Sequence, residues 1–355
     1  MEAGIVGLMT TGKTALFNAL TSAGAAEANY TKANIGIAKV PDERLAQINQ
    51  YIETRKIVPA TMRVVDIAGL AAGGEGAGNR MLAEIRNVDA IVHVVRCFEN
   101  SAAPHPAGSI DPLRDIETVD LELMAADQQV VVGALHKARK QARTGEKSAK
   151  ARVEALESCA AALENLQPVR AADFTDDQKK ELRSLGLITA KQVLYVANVG
   201  EDDLAGEGER VKQVMDHAVR YGGRAVAVCA KLEAELTELD EADRKEMLES
   251  LGMGKPALPK VAQAIYDLLG LQSFYTAGDD EIRAWTVHKG STVRVAAGVI
   301  HSDIERGFIR AEVYHVDDLA AHKTEAAIKH AGKMRIEGKD YLVADGDVCH
   351  MLFNV

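Results

Sequence analysis

The stretch GLMTTGKTALFNAL, Gly7 to Leu20, satisfies G-x-x-x-x-G-K-[ST] through Gly7, Gly12, Lys13 and Thr14. Glycines let a backbone wrap around a phosphate, and the N–H groups at the start of a helix point at the anion. In this reading Lys13 reaches the β- and γ-phosphates and the Thr14 hydroxyl holds Mg²⁺. The remaining loop and first-turn positions, Thr10, Thr11 and Ala15, complete the nucleotide-binding segment. The context agrees with the motif. An apolar run, AGIVGL (Ala3–Leu8), precedes it, and Leu16, Phe17 and Leu20 give an amphipathic helix after it.

Working outward, MRVVDI (Met62–Ile67) and AIVHVVRC (Ala90–Cys97) read as buried parallel strands, as do QVLYVANV (Gln192–Val199) and RAVAVCA (Arg224–Ala230). The fold class is therefore α/β. Asp66 ends one of these strands, where a carboxylate backs Mg²⁺, and Gly69 follows it in a D-x-x-G. Behind a phosphate loop that pattern points to a switch-type NTPase. No Arg-bearing lid is evident, which sets the chain apart from small-molecule P-loop kinases. After Gly69 comes Leu70, where Ras-like enzymes place a water-orienting Gln. Leucine can neither accept a proton nor align a water, so hydrolysis needs another group or a partner, or is slow.

ANVGE (Ala197–Glu201) is placed to address the base. Guanine-specific proteins end this strand with N-K-x-D. Here Asn198, Val199, Gly200 and Glu201 lack the Lys and carry the carboxylate on a longer arm, which impairs guanine reading and opens the site to ATP. Ala230, after the next strand, joins the same site.

Between the two strand sets the texture turns to Ala, Glu, Lys and Gln. Ile116, Val119, Leu123, Ala126 and Val130 recur at helical steps, and after RTGEK so do Val153, Leu156, Ala160 and Leu163. This spacing predicts a helical hairpin packed as an antiparallel coiled coil; two amphipathic helices lying on the sheet are the alternative. HKARKQARTGEKSAKAR (His136–Arg152) falls at the turn and holds seven Lys or Arg against Glu146. A projecting basic tip made of Lys137, Arg139, Lys140, Arg143 and Lys147 is suited to RNA phosphates; a solvated charged face is the plain alternative. From about Leu271 short β-rich segments take over, among them EIRAWTVHKG, GFIRAEVY and YLVADGDVCHMLFNV with its ADGD turn. Trp285 there reads as core rather than ligand.

Bulk properties set limits. The chain has 355 residues, 47% hydrophobic and 26% charged, and a net charge of −10. That balance argues against a protein that coats nucleic acid, and no apolar run approaches the roughly 20 residues of a bilayer span. The N-terminal apolar stretch enters the Gly-rich loop without a cleavage site, unlike a signal peptide. Cys97, Cys159, Cys229 and Cys349 are scattered, as expected for free thiols in a reducing cytoplasm.

With these residues assembled, the chain resembles the Obg-like ATPases of the YchF subfamily along nearly its whole length. The matching strings are GIVGL, GKTALFNALTSAG, VDIAGL, HVVRCFEN, DPLRDIET, LYVANV, AELTELD, LLGLQSFYTAG, EIRAWTV, GFIRAEV, EGKDYLVADGDV and FNV. The resemblance implies a P-loop G domain (1–110 and 190–270), an inserted antiparallel helical hairpin (111–189) and a C-terminal β-grasp TGS domain (271–355). It also implies hydrolysis of ATP in preference to GTP and a ribosome or ribosomal RNA partner; Mg²⁺ as cofactor, no DNA or membrane partner, a monomeric chain and a cytoplasmic location are expected alongside. A hydrophobic residue replaces the catalytic Gln, which Leu70 matches. The subfamily carries a His in the loop before DP, a candidate to assist hydrolysis; SAAPHPAGSIDP offers His105, for which an exposed loop histidine is the alternative.

Three departures stand out. The subfamily loop L-P-N-V-G-K-[ST] reads Leu8-Met9-Thr10-Thr11-Gly12-Lys13-Thr14 here, without the Asn. The first switch, ANYTKANIGIAKVPD, is shortened and loses the Thr that caps Mg²⁺ unless Thr31 replaces it. The second, GLAAGGEGAGN, is short before Gly74. Nucleotide binding survives these losses, whereas switch closure is weakened. The other readings are an ATP-gated ribosome-binding regulator with negligible hydrolysis, and a GTPase.

Overall fold

The computed structural model describes residues 1–21, 34–68, 75–143 and 147–354. Expectations resting on Thr31, Gly69, Leu70 and Gly74 lie outside the described residues. The strands in chain order are β1 (Glu2–Val6), β2 (Asn34–Lys39), β3 (Ile57–Val58), β4 (Thr61–Asp66), β5 (Ala90–Arg96), β6 (Gln192–Asn198), β7 (Arg224–Val228), β8 (Leu271–Thr276), β9 (Ile282–His288), β10 (Phe308–His315), β11 (Arg335–Glu337) and β12 (Asp347–Phe353). The first helices are α1 (Lys13–Thr21), α2 (Glu43–Asn49), α3 (Glu75–Asn87), α4 (Pro112–Ala142), α5 (Lys147–Glu164), α6 (Asp176–Arg183), α7 (Glu209–Arg220) and α8 (Ala230–Glu238). The chain divides into two compact units, Met1–Gly36 with Arg63–Val261, and Ile37–Met62 with Ala262–Val355.

The first unit is built on a sheet of order β2-β4-β1-β5-β6-β7, in which β4, β1, β5, β6 and β7 pair in parallel. All of β5 is buried, and so is all of β6 beyond its first residue, as a parallel sheet covered on both faces requires. Val65, Ile91 and Val95 from the strands and Ile85, Val211, Val214 and Leu232 from the helices fill one core.

Helix α4 begins where Asp111 caps it, the carboxylate accepting from the Arg114 N–H at 3.2 Å, with Pro112 in the first turn. Its 31 residues extend about 46 Å, well past the sheet. The seam expected between α4 and α5 is therefore divided. Ile116, Val119, Leu123 and Ala126 pack into the sheet core instead of against α5. Met124, Val131 and Ala138 meet Ala155, Leu156, Cys159 and Leu163 of α5. Each of the two packings weighed from the spacing thus describes one half of α4. Val130 and the α5 positions Val153 and Ala160 are partly buried against the α4–α5 cluster.

At the base of the hairpin Asp127, 0% exposed, accepts from the N–H of Ile188 at 2.9 Å. Its second oxygen accepts from the N–H and the hydroxyl of Thr189, at 2.7 and 2.8 Å. One carboxylate thus ties the middle of α4 to the segment that enters β6.

The second unit holds a mixed sheet of order β11-β10-β12-β8-β9-β3. β8–β9 and β10–β12 are antiparallel, and the parallel pair β12–β8 joins them. The short β3 adds to β9 in parallel through Ile57–Ile282 and Val58–Arg283. A helix over Val293–Ile300, capped by Thr292, contributes Val293, Ala296 and Ala297 to a core with Phe274, Val287, Val313 and Cys349. Trp285 packs at the edge of that core, its indole N–H donating to Thr276 Oγ1 at 2.9 Å. The ADGD turn is held by buried Asp347, whose carboxylate accepts from the Ala344 N–H, the Tyr341 hydroxyl and Arg335.

Candidate nucleotide-binding site

The phosphate loop leaves β1 at Gly7, whose φ of +145° turns the chain beneath β5; a Cβ there would run into the carbonyl of Val94. Gly12, at φ +91°, presses on the Asn198 side chain, and again leaves no room for a Cβ. Between them Thr10 takes φ +63°, a left-handed conformation that a β-branched residue adopts only under outside restraint. The turn aims the first amides of α1 into the space the loop encloses, and the Leu16 N–H bond to Gly12 O, 3.0 Å, begins the helix.

Lys13 opens α1 and is buried, with Nζ donating to Leu8 O at 2.6 Å. Burial draws its ammonium down from the ordinary value to about 8, with the Asp66 carboxylate opposing the shift. Thr11 Oγ1 also donates to Leu8 O, at 3.0 Å. Thr14 Oγ1 donates to Asp66 Oδ2 at 3.1 Å, joining the first turn of α1 to the end of β4. Burial raises the Asp66 carboxyl above its usual range, against the pull of the Thr14 bond and the Lys13 charge. A hydroxyl and a carboxylate side by side are hard oxygen donors, the pair that Mg²⁺ takes from a protein when phosphates and water complete its shell. Ala15 lies half-buried in the same turn.

Asn198 ends β6 and spends both ends of its amide. Nδ2 donates to Thr11 O at 2.8 Å, and Oδ1 accepts from the Ala230 N–H at 2.9 Å. It therefore ties the phosphate loop to the start of α8. Val199 continues the strand, donating to Val228 O at 2.9 Å. Glu201 is exposed, its carboxylate 2.8 Å from Lys231 Nζ.

His105 is not the exposed loop residue weighed as the alternative; it is 8% exposed. Its Nδ1 accepts from the Ala107 N–H at 3.1 Å, which assigns the remaining proton to Nε2, 2.7 Å from Asp115 Oδ2. Arg114 holds the other Asp115 oxygen at 2.9 Å and reaches Ser109 O at 2.6 Å. In this arrangement Nε2 fastens the loop to the first turn of α4, and Nδ1 holds the loop to itself.

Lys137, Arg139, Lys140 and Arg143 are exposed along the last turns of α4, and Lys147 opens α5. Arg139 pairs with Glu157 of α5 at 2.7 Å. Residues 144–146 of the turn lie outside the described residues.

Arg96 was missed in the sequence. It ends β5, beside Asn198 at the end of β6, and donates to the phosphate loop. The available signal was a charge closing an otherwise apolar strand next to a phosphate loop. Asp115 was missed as well, hidden inside the helical pattern of DPLRDIET.

A parallel sheet whose first strand runs through such a loop into a helix, with Lys13 inside the loop and Thr14 on Asp66, defines a P-loop nucleotide-binding protein. A model described as 50S ribosome-binding GTPase matches residues 2–137, and one described as a protein of unknown function, YchF-GTPase_C, matches 271–354. The chain is 44% identical to the ribosome-binding ATPase YchF of Bacillus subtilis, covering 100% of both chains. It is 45% identical to the protein of the same name from Escherichia coli O157:H7, covering 100% of this chain and 99% of that one. The structure described as the Schizosaccharomyces pombe YchF GTPase superposes with a TM-score of 0.88 at 34% identity, covering 99% of this chain and 97% of that chain. The chain belongs to the YchF family.

Proposed function

We propose that the chain is a Mg²⁺-dependent, ribosome-binding ATPase that cleaves the γ-phosphate slowly without a partner. The observation that carries the nucleotide reading is the convergence of Lys13, Thr14 and Asp66 on one loop. The ammonium of Lys13 swings from Leu8 O to the β- and γ-phosphates, and the amides of the loop and of Thr14 and Ala15 meet the phosphate oxygens. Thr14 and Asp66 would hold Mg²⁺, which supplies charge neutralisation at the phosphates.

At the base, Glu201 is engaged by Lys231, and Asn198 is committed to Thr11 and Ala230. Neither group is set as the guanine reader of an N-K-x-D site, which favours ATP. The ribosome assignment follows the names of the full-length relatives, and the exposed basic end of α4 is the contact we assign to it. A cytoplasmic location accords with that partner. In the same reading 1–110 with 190–270 form the nucleotide domain, apart from 37–62 and 262–270, which fall in the second compact unit, 111–189 form the hairpin, and 271–355 a TGS-like β-grasp domain, the last consistent with a helix lying across a mixed sheet.

One observation favours a second reading, a nucleotide-gated regulator with negligible turnover. Both nitrogens of His105 are spent within its own loop and on Asp115, so positioning a water requires that loop to rearrange.

Single-turnover cleavage of ATP and GTP, each with and without ribosomes, separates these readings. ATP cleavage stimulated by ribosomes and reduced in His105→Ala is the expected result. Tight ATP binding with no cleavage in any condition selects the gated regulator, and a clear preference for GTP in competition binding overturns the base assignment. For the contact itself, reversing charge at Lys137, Arg139 and Lys140 is expected to lower ribosome co-sedimentation about tenfold or more near 0.1 M salt, because phosphate contacts are exchanged for repulsion. The Arg139–Glu157 pair is exposed and contributes at most about 1 kcal/mol, so the fold tolerates the change. Co-sedimentation equal to that of the parent would reject this end of the hairpin as the contact.

A further inference from the structure

Among the described residues Arg96 is the bulkiest fully buried one, 1% exposed at the C-terminal end of β5. Its described hydrogen-bond acceptors are neutral oxygens, while the Glu99 and Asp115 carboxylates favour its charge from farther away. On one side Nη1 donates to Thr10 Oγ1 at 3.1 Å and, at 3.5 Å, to Thr10 O, both in the phosphate loop. On the other, Nη1 donates to Ala103 O at 2.8 Å, Nη2 to Asn100 O at 3.3 Å and Nε to Phe98 O at 3.1 Å. The guanidinium also lies over the Phe98 ring, 4.6 Å from its centroid.

Two further features converge on the same contact. Thr10 is the loop residue in the left-handed conformation, and such a residue persists where its surroundings over-determine it. Asn198, the register partner of Arg96 on β6, grips the carbonyl of the next loop residue, Thr11. Adjacent strand ends thus hold adjacent loop residues, one tying the loop to α8 and the other to residues 98–103. Those residues lead directly into His105 and its bond to Asp115 on α4.

We propose that Arg96 is a positioning residue of the ATPase site. It joins the phosphate loop to residues 98–107, so that closure of the loop on a triphosphate sets the position of His105. Nη1 alone reaches both segments, and the planar fork adds the Nε and Nη2 bonds to Phe98 O and Asn100 O, which the single, strongly hydrated ammonium of lysine cannot reproduce at these separate positions. The proposal rests on the ATPase reading.

The test uses the full chain as wild type, Arg96→Lys and Thr10→Val. Hydrogen exchange of the 98–107 amides is followed with and without a non-hydrolysable ATP analogue and Mg²⁺, beside single-turnover ATP cleavage. In the wild type the analogue is expected to slow exchange in this segment about tenfold. In Arg96→Lys that response is lost and cleavage falls about tenfold or more, while analogue affinity stays within about threefold of wild type. An unchanged exchange response in Arg96→Lys, or undiminished cleavage, overturns the proposal. If Arg96→Lys melts below the assay temperature, Thr10→Val decides by the same two outcomes, since it removes the hydroxyl that makes the shorter of the two Arg96–Thr10 bonds. A wild type that binds the analogue without cleaving it defeats the ATPase reading alone, and the exchange response still decides whether Arg96 couples the segments. A wild type that binds no analogue defeats both.

Discussion

Lys13→Ala is expected to weaken ATP binding by about 100-fold or more while leaving the fold in place. An ammonium bonded to phosphate oxygens inside a water-poor loop contributes about 1.5–3 kcal/mol per charge-assisted bond, and Lys13 is placed to make two of them. At 1.4 kcal/mol per factor of ten, the loss reaches two orders of magnitude or beyond. Stability responds differently. The described bond of the Lys13 side chain is to Leu8 O, and burial already disfavours its charge, drawing the ammonium down to about 8. Removing it relieves that desolvation as it deletes the bond, so unfolding by denaturant is expected to shift by less than about 1 kcal/mol. Titration with a fluorescent ATP analogue, run beside the unfolding curve, measures both. Affinity within a few-fold of wild type would overturn the phosphate-loop assignment.

Asp127→Ala is expected to act the opposite way, on stability rather than on the nucleotide site. The Asp127 carboxylate accepts from two backbone N–H groups and a hydroxyl at 0% exposure, and alanine leaves all three buried without their partner. Orphaned buried donors cost about 1–3 kcal/mol each, and removing one partner of a buried charged network typically costs about 3–5 kcal/mol in all. Asp127→Asn keeps one acceptor oxygen and is expected to lose roughly half as much. Chemical denaturation of the three chains gives the order wild type, Asn, Ala. An alanine variant within about 1 kcal/mol of wild type would show that this anchor does not hold α4 to the segment entering β6.

Both residues bear on what could be read in advance. Lys13 was legible because a phosphate loop is a local device. Glycine spacing, the preceding apolar strand and the following helix all lie within twenty consecutive residues. The parallel sheet was legible for a related reason, since strands buried on both faces must be apolar throughout. The helical period of 112–142 could likewise be read, but not which half of the stripe faces what. Ile116 and Met124 carry the same kind of periodicity, yet one meets the sheet and the other meets α5. Periodicity records that a face is buried and carries nothing about the identity of the covering surface.

Asp127 was invisible, being one acid in a helix rich in them, with partners sixty-one and sixty-two positions away. The short β3 was invisible too: two residues hold no pattern, and pairing with β9 makes them a strand.

The same division runs through the candidate site. The sequence by itself determined that a phosphate loop exists, that Lys13 and Thr14 lie in it, and that Asp66 ends a strand aimed toward it, because each follows from residue type and short spacing. Only the tertiary structure decided that His105 is buried on Asp115, that Asn198 bridges Thr11 to Ala230, and that Arg96 holds Thr10 to Ala103. Those bonds join segments brought together by strand order, and hydrogen bonds reach only about 3 Å. Which polar groups meet across such distances is set by how the sheet stacks its strand ends.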